Sequence, residues 1–212
     1  MAAIGLAAFV TGLAVRGFAL SGGTWSHDLT DNAAAPRSAS GNELGTPIEM
    51  RSADGARRTA VGFVLTGQRL LELSPTQVPA VIREMTAAGS GDVQTNAAQE
   101  QLRHLRDQLA GGSGPVRYLQ AVLATRVVAF TPDRARVSVW SVGVLSRKGA
   151  VEPQAGWTTS TFDLVWERGG WRIWSETIEV GPTPAPNASG YPTAGDAFAQ
   201  ALAGFEPWQV AG

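Results

Sequence analysis

Residues 157–180 read WTTSTFDLVWERGGWRIWSETIEV, and the folding of this stretch decides the rest of the chain. Thr, Val, Ile and Trp dominate it, residue types that suit a pleated, half-buried surface. Glu167-Arg-Gly-Gly170 in its middle is a turn signal, so the stretch reads as a hairpin of two strands, roughly residues 157–167 and 171–180. With the turn at Gly169-Gly170, one face collects Phe162, Leu164, Trp166, Trp171 and Ile173. The other collects Trp157, Val165, Trp174, Ile178 and Val180 among Thr159, Thr161, Asp163, Glu167, Arg172 and Glu176. Both faces carry apolar weight, so one packs on helices and the other needs cover from the chain ends or a partner. Trp174, Val165, Trp157 and Ile178 are therefore the candidate interface residues, aromatic side chains being the common anchors of such patches.

Two further β runs lie upstream, roughly 118–131 and 134–146. Thr131-Pro-Asp-Arg134 joins them tightly, and a looser connection through Gly149, Pro153 and Gly156 leads into the hairpin. Before them the period changes to that of helices. Val61, Val64, Leu65, Leu70 and Leu71 mark one over 59–73. Thr76 is placed to cap a second, with Pro79 in its first turn, running through Val81, Ile82 and Met85. Asp92 caps a third, in which Leu102, Leu105 and Leu109 form a stripe before Gly111-Gly-Ser-Gly-Pro115 ends it. After the sheet, Gly181-Pro-Thr-Pro-Ala-Pro186 is extended, and a short helix opening at Thr193 presents Phe198, Leu202 and Phe205. The fold class is α+β: N-terminal helices on a four-stranded antiparallel meander, with a short C-terminal helix covering part of the second face.

The first 20 residues are almost wholly apolar, interrupted by Arg16. Spanning a bilayer takes roughly 20 apolar residues, so 1–20 reads as a membrane anchor if Arg16 reaches the head groups. A cleaved signal segment, a core helix and a misassigned start are the alternatives. Residues 21–58, rich in Ser, Gly, Ala, Asn, Asp and Pro, read as a flexible linker, which leaves 59–212 as the folded domain. Anchor and signal readings both place that domain outside the cytoplasm, as a single-pass membrane protein or a secreted one.

With 17 basic and 18 acidic residues and a net charge of -1, the chain has no basic footprint for direct nucleic-acid binding. It has no cysteine and only two histidines, His27 and His104, which excludes thiolate chemistry and Cys-based zinc sites and leaves little for a metal. Asp163 and Glu176 face each other if the hairpin loop is Gly169-Gly170. Two such carboxylates would repel and raise one pKa, but Arg172 and Arg136 are at hand as counter-charges, so an ion-paired surface is the simpler reading. His104, flanked by Arg103 and Arg106, reads as an ordinary helix residue. Ser113 lacks the strand-turn-helix setting of a nucleophile elbow. No catalytic constellation, cofactor or metal site is expected.

The run VAFTPDRARVSVWSVGVL from Val128, AGWTTSTFDLVWERGGWRIW from Ala155 and GPTPA from Gly181 resemble a group of actinobacterial proteins associated with integrative and conjugative elements. More distantly, the plan of anchor, spacer, helices and sheet is similar to bitopic assembly components of conjugative type IV secretion systems. Those carry a nuclear-transport-factor-2-like domain, a cone of helices under a curved sheet also called cystatin-like. The resemblance implies a non-catalytic assembly component of a cell-envelope complex, with other envelope or secretion proteins, or further copies of itself, as partners. A small-molecule-binding or hydrolase/isomerase-type domain with a cone-shaped pocket is one alternative, and an accessory protein of lipid import another. A pocket holding Asp163 or Glu176 with His104 nearby would favour the pocket reading.

Overall fold

The computed structural model describes residues 50–184 and 193–209. The expected anchor and all but the end of the expected linker lie outside the described residues. Among those described, no helix is long and apolar enough to cross a membrane.

Helix α1 spans Ala53–Leu70, starting inside the stretch expected to be linker. The cause is local: Ser52 is extended, its side chain accepts from the Gly55 N–H at 3.0 Å, and Asp54 and Arg69 carry the charges that suit the two helix ends. Its buried stripe includes Ala56, Ala60, Val61, Val64 and Leu70. The alanines let the backbone lie close over the sheet.

Helix α2 (Val78–Met85) has Pro79 in its first turn, as expected, but Thr76 does not cap it. Instead the Gln77 side-chain oxygen accepts from both the Ser74 N–H and the Ser74 hydroxyl, closing the preceding turn. Helix α3 (Gly91–Leu109) starts at Ser90 rather than on an Asp92 cap, and buries Ala98, Leu102, Leu105 and Leu109.

The expected meander follows as β1 (Arg117–Phe130), β2 (Arg134–Arg147), β3 (Val151–Glu167) and β4 (Gly170–Val180), all antiparallel. β3 begins six residues before the expected Trp157. Pro153 is tolerated there because β4 pairs with β3 only from Thr158 onward, leaving the first part of β3 an edge with an irregular register. Helix α4 (Gly195–Ala201) comes next, then a two-residue strand β5 (Glu206–Pro207) on the outer edge of β1. The sheet is thus five-stranded, in the order β4-β3-β2-β1-β5, where four strands were expected.

The helices and the sheet enclose the main core. Ala135, Val137 and Val139 of β2, Phe162 and Leu164 of β3, and Trp171 and Ile173 of β4 pack against Ala56, Ala60, Val61 and Val64 of α1. A second cluster joins Leu105 and Leu109 to Tyr118 and Leu145 at the far end of the sheet. On the opposite face, the tail covers the centre as the sequence suggested. The Trp140 indole N–H donates to the Pro182 carbonyl at 3.1 Å, its ring meets Phe198 of α4 edge-on at 5.7 Å, and the Thr159 hydroxyl donates to Gly181. The tail then rounds the β1 edge and returns Trp208 to the helix side, where Arg57 lies over its ring and pairs with Glu206 at 2.7 Å.

Trp171 is 1% exposed and its indole N–H donates to the Met50 carbonyl, whereas Trp174, three residues on, is 47% exposed. Trp171→Ala is expected to cost about 3–5 kcal/mol. Trp174→Ala should cost about 1 kcal/mol or less. Chemical denaturation of the two variants side by side checks the difference.

Candidate functional site

The β3–β4 hairpin turns on Arg168 and Gly169, both with positive φ (53° and 75°), the geometry of a two-residue turn matching strand twist. The turn therefore sits one residue earlier than the Gly169-Gly170 reading. A second departure follows: Leu164 pairs with Ile173 but Asp163 pairs with Ser175, so Trp174 is an extra residue, a bulge, in β4. One extra residue exchanges the two faces for everything beyond it. Asp163 and Glu176 therefore do not meet. Glu176 lies opposite Phe162, and Ile178 opposite Ser160, on the helix side, whereas the sequence reading put both on the other face.

The bulge is held from outside by the loop between α2 and α3. The Ala87 N–H and the Ser90 hydroxyl both donate to the Ile173 carbonyl, at 2.9 and 3.1 Å, and the Gln94 amide donates to the Trp174 carbonyl at 2.8 Å. Gly89 sits against the Trp174 ring, where a Cβ would come within 3.0 Å of it. The Glu167 carboxylate accepts from the Ala88 N–H, and the Arg168 guanidinium donates to Thr86. Strand β4 is thereby capped along part of its free edge.

Asp163 stays on the outer face and is neutralised there. Arg136 grips it through both oxygens, at 2.6 and 3.1 Å, and the Ser175 hydroxyl donates to it at 2.8 Å. The hydrogen bond to Asp163 holds the Arg136 guanidinium above its ordinary pKa. This is the counter-charged surface the sequence suggested, with Arg136 rather than Arg172 as the cation. His104 is on the exposed side of α3 and does not line the cavity described next.

Glu176 points into a chamber of about 30 Å³ between the helices and the sheet. Its walls are Phe63, Val64, Gly67 and Leu70 of α1, Ile82 and Met85 of α2, Gln94 of α3, Phe162 of β3 and Ile173 of β4, together with Thr86. No wall residue besides Glu176 carries a charge. Burial pushes its carboxyl up to about 8, and the nearby Ser160 hydroxyl opposes that rise only in part. Ser160 itself is fully buried and has no regular hydrogen-bond partner. Glu176, by contrast, is half-buried, its side chain enclosed by the chamber walls and the rest of the residue reaching the surface of β4. Phe63 and Met85 also wall an open groove of about 480 Å³ on the other side, shared with Thr59, Arg69, Val81, Glu84 and Arg172. Among the described residues no group of three or more potential metal ligands converges.

The outer face holds a different feature. Beyond the reach of α4, the register aligns Leu119, Val144 and Ala155 across β1, β2 and β3, and next to them Ala121, Val142 and Trp157. Leu119 is 65% exposed and the other five are exposed or half-buried. Of the four candidate interface residues, Trp157 lies in this double row and Val165 at the hairpin end of the same face. Trp174 stands on the β4 edge and Ile178 on the inner side. Leu119, Val142 and Val144 were missed because face parity was followed only around the last hairpin, although the alternation in β1 and β2 carries the same signal.

Helices on one face of an antiparallel sheet, with a short helix and edge strand wrapping the other, define an α+β protein of the helix-and-sheet plan expected from the sequence. The chain belongs to the DUF8175 family, described as a domain of unknown function, whose model matches residues 50–193. Among solved structures it is similar to the intermembrane-space region of the chloroplast protein ARC6, at 18% identity and a TM-score of 0.37 over 59% of this chain and 97% of that one. It is also similar to a proposed aromatic ring hydroxylase from Novosphingobium aromaticivorans, at 14% identity and a TM-score of 0.41 over 64% of this chain and 92% of that one. No curated protein matches the chain in sequence.

A carboxyl raised from 4.5 to about 8 binds an extra proton in the native state between those values. Its stabilising contribution is complete below pH 4.5 and is lost as pH rises through about 8, at no more than about 1.4 kcal/mol per pH unit. Glu176→Gln should therefore match the wild type near pH 4.5 and be the more stable protein at pH 8.5. Urea titrations of both proteins across this range read the difference directly.

Proposed function

We propose that this chain is a non-catalytic interaction module of a cell-envelope complex, and that the complex is a conjugative DNA-transfer assembly of the type IV secretion kind. What carries the reading is the double row of apolar side chains on the outer face, Leu119-Val144-Ala155 and Ala121-Val142-Trp157. The β1–β2–β3 ladder presents these rows, and contiguous exposed apolar side chains mark surfaces that bind proteins. The centre of the same face is occupied by the tail and its hairpin end by the Arg136–Asp163 pair, so the patch has a defined polar boundary. The resemblance to actinobacterial conjugative-element proteins and the apolar stretch over 1–20 support the envelope setting. In this reading the domain stands outside the cytoplasm, meets other secretion proteins or a second copy of itself, and makes no direct contact with nucleic acid.

Leu119→Asp together with Trp157→Ser should leave the helical and strand content unchanged and weaken association by about thirtyfold, the loss of a typical interface anchor. Sedimentation of the full chain, alone and with the soluble domains of the element's other envelope proteins, measures this. A chain that neither self-associates nor binds any of them at high concentration would defeat the interface. Transfer frequency of the element carrying the double variant gives the biological readout, and wild-type transfer would count against the conjugative role.

A further inference from the structure

The chamber around Glu176 has no part in a surface that binds through the outer face, and its construction is not that of a plain core. A carboxyl is set among Phe63, Val64, Leu70, Ile82, Met85, Phe162 and Ile173, with no cation in the walls to offset it. The other polar wall groups are already engaged. The Thr86 hydroxyl donates to Ile82, and the Gln94 amide donates to Trp174. Glu176 has the Ser160 hydroxyl as its polar neighbour, and a carboxyl has two oxygens, so one side of it still faces the chamber. Buried polar groups are normally matched, and a core site serving packing alone would be apolar.

The chamber also shares walls with the groove. Phe63 of α1 and Met85 of α2 are walls of both the chamber and the open groove, so they form the partition between the two. Methionine is unbranched and adapts its rotamer easily, which makes Met85 a movable partition. The groove volume of about 480 Å³ lies within the range of small-molecule sites, while about 30 Å³ behind the partition suits a tip of one or two heavy atoms.

We propose that the groove and the chamber together bind a small molecule with an apolar body and an uncharged oxygen tip, a carbonyl or a hydroxyl, which pairs with Glu176. The body lies in the groove against Phe63, Val81, Leu73 and Met85, and the tip enters past Met85. A protonated carboxyl donates to a carbonyl oxygen and both donates to and accepts from a hydroxyl. An ammonium tip is disfavoured twice: it meets Arg69 and Arg172 against a single Glu84 in the groove, and it must shed its water among apolar walls. These three, from α1, α2 and β4, are the charged residues that line the groove. The facing side chain of α3 is the neutral Gln94, and Asp163 of β3 points to the other face.

Met85 reports on the partition directly, because the chain has only three methionines. In the full-length chain with ¹³C-methyl-labelled methionine, acetophenone, 1-phenylethanol and 1-phenylethylamine share a skeleton and differ only in the tip. At pH 6.5 the ketone and the alcohol should shift the Met85 methyl signal saturably and leave that of Met50 in place, with the amine at least about tenfold weaker. Raising the pH to 9.5 should weaken the ketone about tenfold in the wild type and not in Glu176→Gln, which keeps a donor at every pH. A Met85 signal unmoved by the ketone and the alcohol would overturn the proposal. So would equal binding of all three tips, or ketone binding that ignores pH in the wild type. Should Glu176→Gln fail to fold, the wild-type pH series decides alone.

Discussion

Strand β4 carries one residue more than the strand it pairs with, and the character of the domain's interior depends on that mismatch. Side chains along a strand alternate strictly between faces, so an inserted residue exchanges inside and outside for the rest of the strand. Before Trp174, Trp171 and Ile173 enter the core beside Phe162 and Leu164. After it, the inward positions fall to Glu176 and Ile178, while Ser175 turns outward to bind Asp163. The extra residue does not slip away because its neighbours are fixed from the side. The Ile173 carbonyl takes two donors from the α2–α3 loop, and the Trp174 carbonyl takes the Gln94 amide. Helix packing and strand register are thus coupled at one point on the sheet edge.

A sheet that is apolar on both faces must be covered twice, and this chain does so unevenly. Among the described residues, helix α1 and its partners fill one side, and the other receives residues 181–184 and α4, with β5 on its edge. The uncovered remainder is apolar at the far end and ion-paired at the hairpin end. Contact with a partner and uptake of a small molecule would then use opposite sides of the same ladder, which allows the two to coexist. Coupling between them would have to pass through β3, the strand that carries Trp157 outward and Phe162 inward.

Much of this was legible in the sequence. The three helices and four strands announced themselves through the spacing of Val61, Val64, Leu102, Leu105 and Leu109 and through the Trp- and Thr-rich runs after Pro115. What stayed hidden has physical reasons. The first turns of α1 are built from Ala, Gly and Arg, which look like linker until Ser52 is seen to cap them. Residues 151–156 contain Pro153 and Gly156 and read as loop, because a strand edge tolerates what a strand centre forbids. β5 is too short to show any period, and its anchor Trp208 could be understood only once Arg57 and the β1 edge were in place. A bulge leaves no compositional signature at all. The expected pairing of Asp163 with Glu176 therefore failed: Asp163 lies opposite Ser175, and Glu176 lies opposite Phe162 on the inner side.

The account stands most directly on the environment of Glu176, and that can be measured without any partner or ligand. A pH titration of the ¹³C-labelled Glu176 side-chain carboxyl in the folded protein should show a midpoint near 8, well above the ordinary 4.5. A midpoint at the ordinary value would mean that the carboxyl faces water, that the register after Trp174 is not the one described, and that the chamber it lines does not exist in solution.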